Sequence, residues 1–492
     1  MGRRSLGAPD GRWSRRQVLL AAGGVVLPGI GACTQADGSY TIEQWRADRG
    51  QQFLVAHRGS GDVFPEHTLE AYEGALDWGA KAIEISVVMT SDGVLVCQHD
   101  LTFDRTTNLK GRVASQPSNV LINGRVNIGR LGPRWNGERA PKISRLDDVL
   151  RRLGKRCVIV IEAKDDSAFP GVLRLISERG LERSTMIKLH YATKRIPEAR
   201  KAGLPMFVYI GAPDEFTEQR VKGVAALLDP RSDVLVVPAA DDSGPLPDDK
   251  LKIATDTGVP VWVFPVHRRW EVDHFFQRGV QAVMASSYGY LSRVVQPLRA
   301  TDWQSGAIAP GEMTRFPDAD AYGFGWPEDG VIQLSAQRRQ AFITLGQLAP
   351  LERSRGPYRV TLDIRVDVQP TDPKSNFTVC FAHADDRYYE HRQGTLDGYH
   401  AMLRMDGTLE LRSHTAGSES GSELAKGADG PAPVVGTWLT LTLDVDERTI
   451  SWSRADTGAT VNTVNSEFRG DYMHIGRSAT DGKISVRNVS VT

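Results

Sequence analysis

The chain has 492 residues, too many for one ordinary core, and its length implies two to three domains. Its 60 acidic and 60 basic residues balance, which excludes a broad field drawing in nucleic acid or an anionic membrane surface. Four cysteines without metal-type spacing are too few for a disulfide framework or a zinc site, and Cys97 and Cys157, in neighbouring predicted strands, read as buried thiols rather than a bridge.

At the N-terminus, Ser14-Arg15-Arg16-Gln17-Val18-Leu19 leads into an uncharged, mostly apolar run from Val18 to Ala32 that ends Ile30-Gly31-Ala32-Cys33. The paired arginines resemble a twin-arginine export signal, and Ile-Gly-Ala-Cys resembles a lipoprotein cleavage site whose cysteine becomes acylated. The run is shorter than the roughly 20 residues of a membrane span and contains Pro28. Residues 1–33 are therefore expected to be a signal. Cys33 is expected to be the membrane anchor of an exported cell-surface lipoprotein, with a secreted protein as the other form of export. Residues 34–50 are polar and read as a tether or a first helix.

Residues 51–298 alternate short apolar runs with helical patterns, the grammar of a parallel sheet covered by helices. The strand candidates are FLVA (53–56), AIEISVV (82–88), VLVCQ (94–98), CVIVIEAK (157–164), TMIKLH (185–190), PMFVYIG (205–211), VLVVP (234–238), VPVWVFP (259–265) and VQAVMAS (280–286). That is about nine candidates for the eight strands of a (β/α)8 TIM barrel. A helical pattern from Thr68 to Trp78 joins the first two. Residues 101–150, with few apolar runs and many Gly, Asn and Arg, interrupt the alternation. Parity puts Glu84 and Ser86 on one face of their strand, and Lys188 and His190 inward on theirs. His57 and His99 fall at the ends of apolar runs, where the mouth of such a barrel lies.

The motifs read His57-Arg58-Gly59, Pro65-Glu66-His67-Thr68, Glu84-Ile85-Ser86, Asp92-Gly93, His99-Asp100 and Glu162-Ala163-Lys164. In this order they resemble the glycerophosphodiester phosphodiesterase family, whose pattern is HRG, PENT, ExD, DG, HD and ExK, over about residues 51–295. The resemblance implies that His57 and His99 are the catalytic acid/base pair. Arg58 and Lys164 are implied to meet the substrate phosphate, and Glu84 and Glu162 to hold a divalent cation, Mg²⁺ or Ca²⁺. Glu66, Ser86 and Asp100 would support them. In the family mechanism the neighbouring glycerol hydroxyl attacks phosphorus, giving a cyclic phosphate that water opens. Residues 101–150 match the insertion the family carries between its third and fourth strands.

The chain departs from the pattern at three places. Ser86 stands where the family has a second carboxylate, so a cation site would lose one charged ligand. A weaker site completed by water or Asp165, a different charge arrangement using Arg or Lys, and a barrel without catalysis all follow from that change. His67 replaces the Asn of PENT, and Ala285-Ser286-Ser287 stands where the family often has Thr-Asp. Trp262 reads either as an apolar wall for the substrate or as core.

After a linker at 299–310, residues 311–492 change grammar. Runs such as YRVTLDIRVD (358–367), FTVCFAH (377–383), HAMLRM (400–405), TLELRS (408–413), WLTLTLDVD (438–446), TISWSRA (449–455) and KISVRNVSV (483–491) alternate apolar and polar residues between turns, the pattern of an all-β sandwich. Their order resembles concanavalin-type jelly rolls, many of which bind glycans. Tyr388, Tyr389, Tyr399, Trp438 and Trp452 are candidates for a sugar groove or for packing. The resemblance implies hydrolysis of small or polymeric glycerophosphodiesters, with the sandwich as a targeting module. A catalytically weak or dead barrel that binds phosphate, beside a glycan-binding sandwich, is the reading from another class.

Overall fold

Helix α1 (Ile42–Asp48) begins the described chain, and its own residues explain its start. Thr41 Oγ1 accepts the Gln44 N–H at 3.2 Å while Gln44 Oε1 accepts the Thr41 N–H at 2.8 Å, a reciprocal capping box. The structure is a computed structural model and describes residues 39–492 except 242–243, 314–323, 336–339, 347, 349–350, 352–355, 388–395, 419–420, 428–429 and 479–480. The expected signal, with Cys33, lies outside the described residues, as do Tyr388 and Tyr389. Tyr40–Thr492 forms one unit.

Eight parallel strands close into a barrel in the order β1 (Phe53–Ala56), β9 (Ala282–Ala285), β8 (Val261–Val266), β7 (Val234–Pro238), β6 (Met206–Tyr209), β5 (Thr185–His190), β4 (Val158–Ala163) and β2 (Ala82–Met89), with Ala56 opposite Ile83 completing the ring. Strand β3 (Leu95–Cys97) is the ninth candidate: it runs antiparallel to β2 as a hairpin and stands outside the ring. The Asp92-Gly93 turn that joins them puts Gly93 at φ 84°, a left-handed backbone that glycine adopts without a Cβ clash. Cys97 and Cys157 are buried free thiols.

Near-continuous apolar strands follow from burial on both faces. The outward residues pack under the helices, among them Ile83, Ile85, Ile159, Ile161 and Val263. The inward residues at the strand starts, including Phe53, Val160, Phe207 and Trp262, close on Ile42 and Trp45 of α1. Trp45 meets Phe53 and Trp262 edge to face at 5.0 and 6.0 Å, and the Arg49 guanidinium covers Trp45 at 4.5 Å. Trp262 is therefore floor and core, far along its strand from the mouth, and the reading of it as a substrate wall is corrected.

The segment 101–150 holds five short 3-10 turns before a helix at Leu146–Leu153 and has its own small core around Phe103, Val113, Leu121 and Val126. Beyond the barrel, two seven-stranded antiparallel sheets pack face to face around Leu362, Ile364, Phe381, Leu403, Leu441 and Trp452. Every strand quoted from the C-terminal sequence is present within a residue or two. The strands Val331–Ser335, Gln340–Leu345, Ser422–Gly427, Thr460–Val464 and Tyr472–Ser478 were not among those quoted. Tyr399 and Trp452 are fully buried, so neither lines a groove, while Trp438 is half-buried under the guanidinia of Arg365 and Arg487.

The two domains are joined by more than the linker. Arg134 N–H donates to Gly306 O at 2.8 Å, and Trp326 Nε1–H to Arg130 O at 3.3 Å. The buried Asp386, from the loop after the strand Asn376–His383, accepts the N–H groups of Arg269 and Trp270 at 2.8 and 3.1 Å and the Tyr290 hydroxyl at 2.9 Å. It thereby caps helix Arg269–Gln277 of the barrel, whose own N-cap residue, Arg268, has no side chain able to accept those amides.

Candidate active site

The carboxyl ends of the strands gather nine predicted residues into connected groups. His57 ends β1 in a tight 3-10 turn that puts Arg58 at φ 53°, so its backbone N–H donates to Glu84 Oε2 at 3.1 Å. The Arg58 guanidinium donates to both oxygens of the buried Glu66 at 3.2 Å, the orienting contact expected of Glu66. Arg105, unremarked in the sequence, grips Glu66 from the other side at 2.7 Å and also pairs with Asp100 at 2.7 Å. Asp100 Oδ1 lies 2.8 Å from His99 Nδ1.

Each histidine thus has one nitrogen engaged. His57 Nδ1 lies 3.2 Å from Ser286 Oγ, and His99 Nδ1 faces Asp100, which leaves Nε2 of each for a substrate. Burial pushes His57 well below the usual imidazole range, and the Arg58 charge adds to this. Burial also lowers His99, against the pull of Asp100 in the other direction. Burial thus biases both imidazoles toward the neutral form, the state a general base requires. His67 stacks on His99 with centroids 6.5 Å apart and is pushed by burial to about 3, so it is a neutral ring in the wall.

At the centre, the sequence expectation of a cation between Glu84 and Glu162 meets a different occupant. Lys188 Nζ lies 2.8 Å from Glu84 Oε1 and 2.8 Å from Glu162 Oε2. Ser86 Oγ lies against the same two oxygens, at 3.2 and 3.4 Å. The outer oxygen Glu162 Oε1 accepts from Lys164 Nζ at 3.0 Å and from Tyr209 Oη at 2.6 Å. All four oxygens of the pair already accept protein hydrogen bonds. Burial opposes the charge on Glu162, yet Lys188 and Lys164 hold it at about 2, and Glu84 is likewise held well below the carboxylate range by Lys188. Burial works against the Lys188 ammonium too, and the two carboxylates overcome it and raise its pKa.

The donor set does not fit a divalent cation. An ammonium spans the place between the carboxylates, the third acidic ligand is a hydroxyl, and among the described residues no group of three or more His, Cys, Asp or Glu is arranged to hold a metal. Asp165, at the cleft, accepts the Ala168 N–H at 3.0 Å through Oδ1, while its Oδ2 is buried with no hydrogen-bond partner. As the side chains stand, Lys188 takes the place between Glu84 and Glu162 at which Mg²⁺ or Ca²⁺ is expected.

A cleft of about 410 Å³ opens beside this centre at the ends of β4, β5 and β6, lined among others by Glu162, Lys164, Lys188, His190, Arg195 and Tyr209. Inward parity was the one sequence signal for Lys188. Ser286 carried none beyond its departure from Thr-Asp, and Arg105 and Tyr209 carried none.

The comparisons fall on this same stretch. Residues 57–284 match the model of the Glycerophosphoryl diester phosphodiesterase family. The family resemblance read from the motifs therefore holds for the barrel. The glycerophosphodiester phosphodiesterase of Bacillus subtilis (strain 168) is 36% identical over 128 residues, 24% of this chain and 42% of that protein. A glycerophosphodiester phosphodiesterase of Caldanaerobacter subterraneus is 33% identical over 151 residues, 29% of this chain and 60% of that protein. The chain thus spans less than two thirds of the length of these relatives. The solved glycerophosphodiester phosphodiesterase from Agrobacterium tumefaciens is 20% identical with a TM-score of 0.40, over 49% of this chain and 99% of that one.

Proposed function

We propose that the barrel cleaves glycerophosphodiesters to glycerol 3-phosphate and an alcohol, with His57 and His99 as the acid/base pair. The observation that carries this reading is the placement of two histidines at the barrel mouth, each held through Nδ1, beside the Arg58–Glu66 pair. A phosphodiester resists attack because its oxygens are anionic and its alkoxide is a poor leaving group, so cleavage needs a base, an acid and positive charge on the phosphoryl oxygens.

One histidine takes the proton of the glycerol hydroxyl next to the phosphate as its oxygen bonds to phosphorus. The other, protonated at the outset, gives its Nε2 proton to the departing alcohol oxygen as the P–O bond breaks. Water then opens the cyclic phosphate with the two roles exchanged. Arg58, fixed by Glu66, meets a phosphoryl oxygen with a planar fork, and Lys164 lies at the edge of the cleft for the same charge. The protein acts after export, held at a membrane by acylated Cys33, and the sandwich directs it to a surface glycan.

Turnover of glycerophosphocholine and glycerophosphoglycerol, followed by phosphorus NMR, tests the chemistry. Loss of at least about 100-fold in both His57→Ala and His99→Ala is expected; full activity in either variant refutes the assignment. Labelling with a radioactive fatty acid that survives Cys33→Ala refutes the anchor.

A further inference from the structure

We infer that the ammonium of Lys188 is this site's resident cation, so that the barrel binds and cleaves its diester without a divalent ion. The inference rests on the proposed phosphodiester chemistry for its second half; the first half, cation exclusion, stands on geometry alone.

Three observations converge on Lys188. Its Nζ sits 2.8 Å from one oxygen of each glutamate, from strands β2 and β4, so it takes the bridging position between them. The charge count is the same with Ser86 and Lys188 as with a third carboxylate and a divalent ion. Three carboxylates around a doubly charged ion leave one net negative charge, and Glu84 and Glu162 around one ammonium, with Ser86 in the third place, leave the same. A Ser86 carboxylate beside Lys188 would be one negative charge too many, and a divalent ion beside it one or two positive charges too many.

The surroundings also suit an ammonium better than a hydrated metal. Aromatic rings of Tyr209, Phe207 and Phe264 lie 5.1, 5.8 and 5.9 Å from Nζ. Those faces favour an organic cation. Two of the three N–H groups on Nζ are spent on the glutamates, and Lys188 lines the open cleft, which leaves one donor for a phosphoryl oxygen. Lys188 then supplies what the ion supplies elsewhere: a fixed positive charge at the developing pentavalent phosphorus, with no metal-bound water and no change of coordination.

The full chain, purified and stripped with chelator, decides this by two readouts that need no variant. Calorimetric titration with Mg²⁺ and with Ca²⁺ is expected to show no saturable binding up to millimolar ion, and diester turnover is expected to be the same in chelator as in either ion. A stoichiometric site that Glu84→Gln abolishes, or turnover that falls at least tenfold in chelator and returns with metal, overturns the inference while leaving the proposed function standing. Absence of turnover under every condition overturns the function, and the calorimetry still judges Lys188. The paired variant Ser86→Asp with Lys188→Met rebuilds the three-carboxylate set. It is expected to bind one Ca²⁺ in the same titration, and failure to do so in a variant with a native melting transition counts against the charge argument.

Discussion

Replacing Lys188 by methionine keeps the volume and removes the charge, and the structure sets the cost. Lys188 is 4% exposed and Glu84 is fully buried, so the variant leaves two carboxylates facing each other with only the Ser86 hydroxyl between them. Breaking a buried ion pair by deleting one partner costs about 3–5 kcal/mol. For a barrel of this size that corresponds to a fall of roughly 6–20 °C in melting temperature.

The effect depends on pH in a defined direction. In the natural protein both carboxyls are depressed, Glu162 to about 2. Their stabilisation is full above the ordinary carboxylate pKa and is lost as pH falls through the folded values. In the variant the same pair shifts upward and takes up a proton, so the gap between the two proteins narrows in acid. Urea unfolding followed by tryptophan fluorescence, at neutral pH and in mild acid, measures both. A loss below about 1 kcal/mol at neutral pH, or an equal loss at both, refutes the reasoning. Adding Glu84→Gln to the variant removes the repulsion and is expected to recover most of the loss.

Other expectations follow from the same coordinates. Because burial depresses both His57 and His99, the form with one of them protonated is most populated below the ordinary imidazole pKa. The kcat/KM profile should peak on the acid side of neutrality, and Asp100→Asn, which removes the charge that raises His99, should move its alkaline limb lower still. A peak on the alkaline side contradicts this. Glu312 is buried, accepts Trp303 Nε1–H at 2.8 Å, and is raised by burial to about 7. A raised acid binds its proton more tightly folded than unfolded, so stability falls as pH rises from the ordinary carboxylate range through 7. Glu312→Gln should remove up to about 3 kcal/mol of that cost in mild alkali and nothing in acid, by chemical denaturation at both. Asp386→Ala strips the cap from a barrel helix and should cost about 2 kcal/mol, read in calorimetry as separate barrel and sandwich transitions where coupled ones are expected of the natural chain.

The barrel was legible because each strand is a short apolar run bounded by turn residues, a local property. Its one misleading member, VLVCQ, has strand chemistry as good as the rest, and only pairing shows that β3 turns back on β2. The residues proposed for acid/base and phosphate work stood out through their motif contexts, and His57, Arg58, Glu66, His99 and Asp100 lie at the strand ends. Lys188 did not, because its meaning lies in carboxylates on two other strands, one of them 104 residues away. Asp386 was hidden for the same reason: its partners are backbone amides of another domain, and amides leave no mark on sequence. In the sandwich, Val331–Ser335 and Tyr472–Ser478 lack the clean alternation of Trp438–Val445, whose burial strictly alternates.

Among the described residues the floor under Trp45 is packed shut, so the barrel opens at its other end. Under the proposed function, substrate and product use that mouth in turn, and a long glycerophosphate polymer is not threaded through and processed from behind. It has to be offered as a free end or a loop, released, and offered again. Under the proposed function, product lingering at the mouth blocks the next arrival, and glycerol 3-phosphate is expected to compete with the diester.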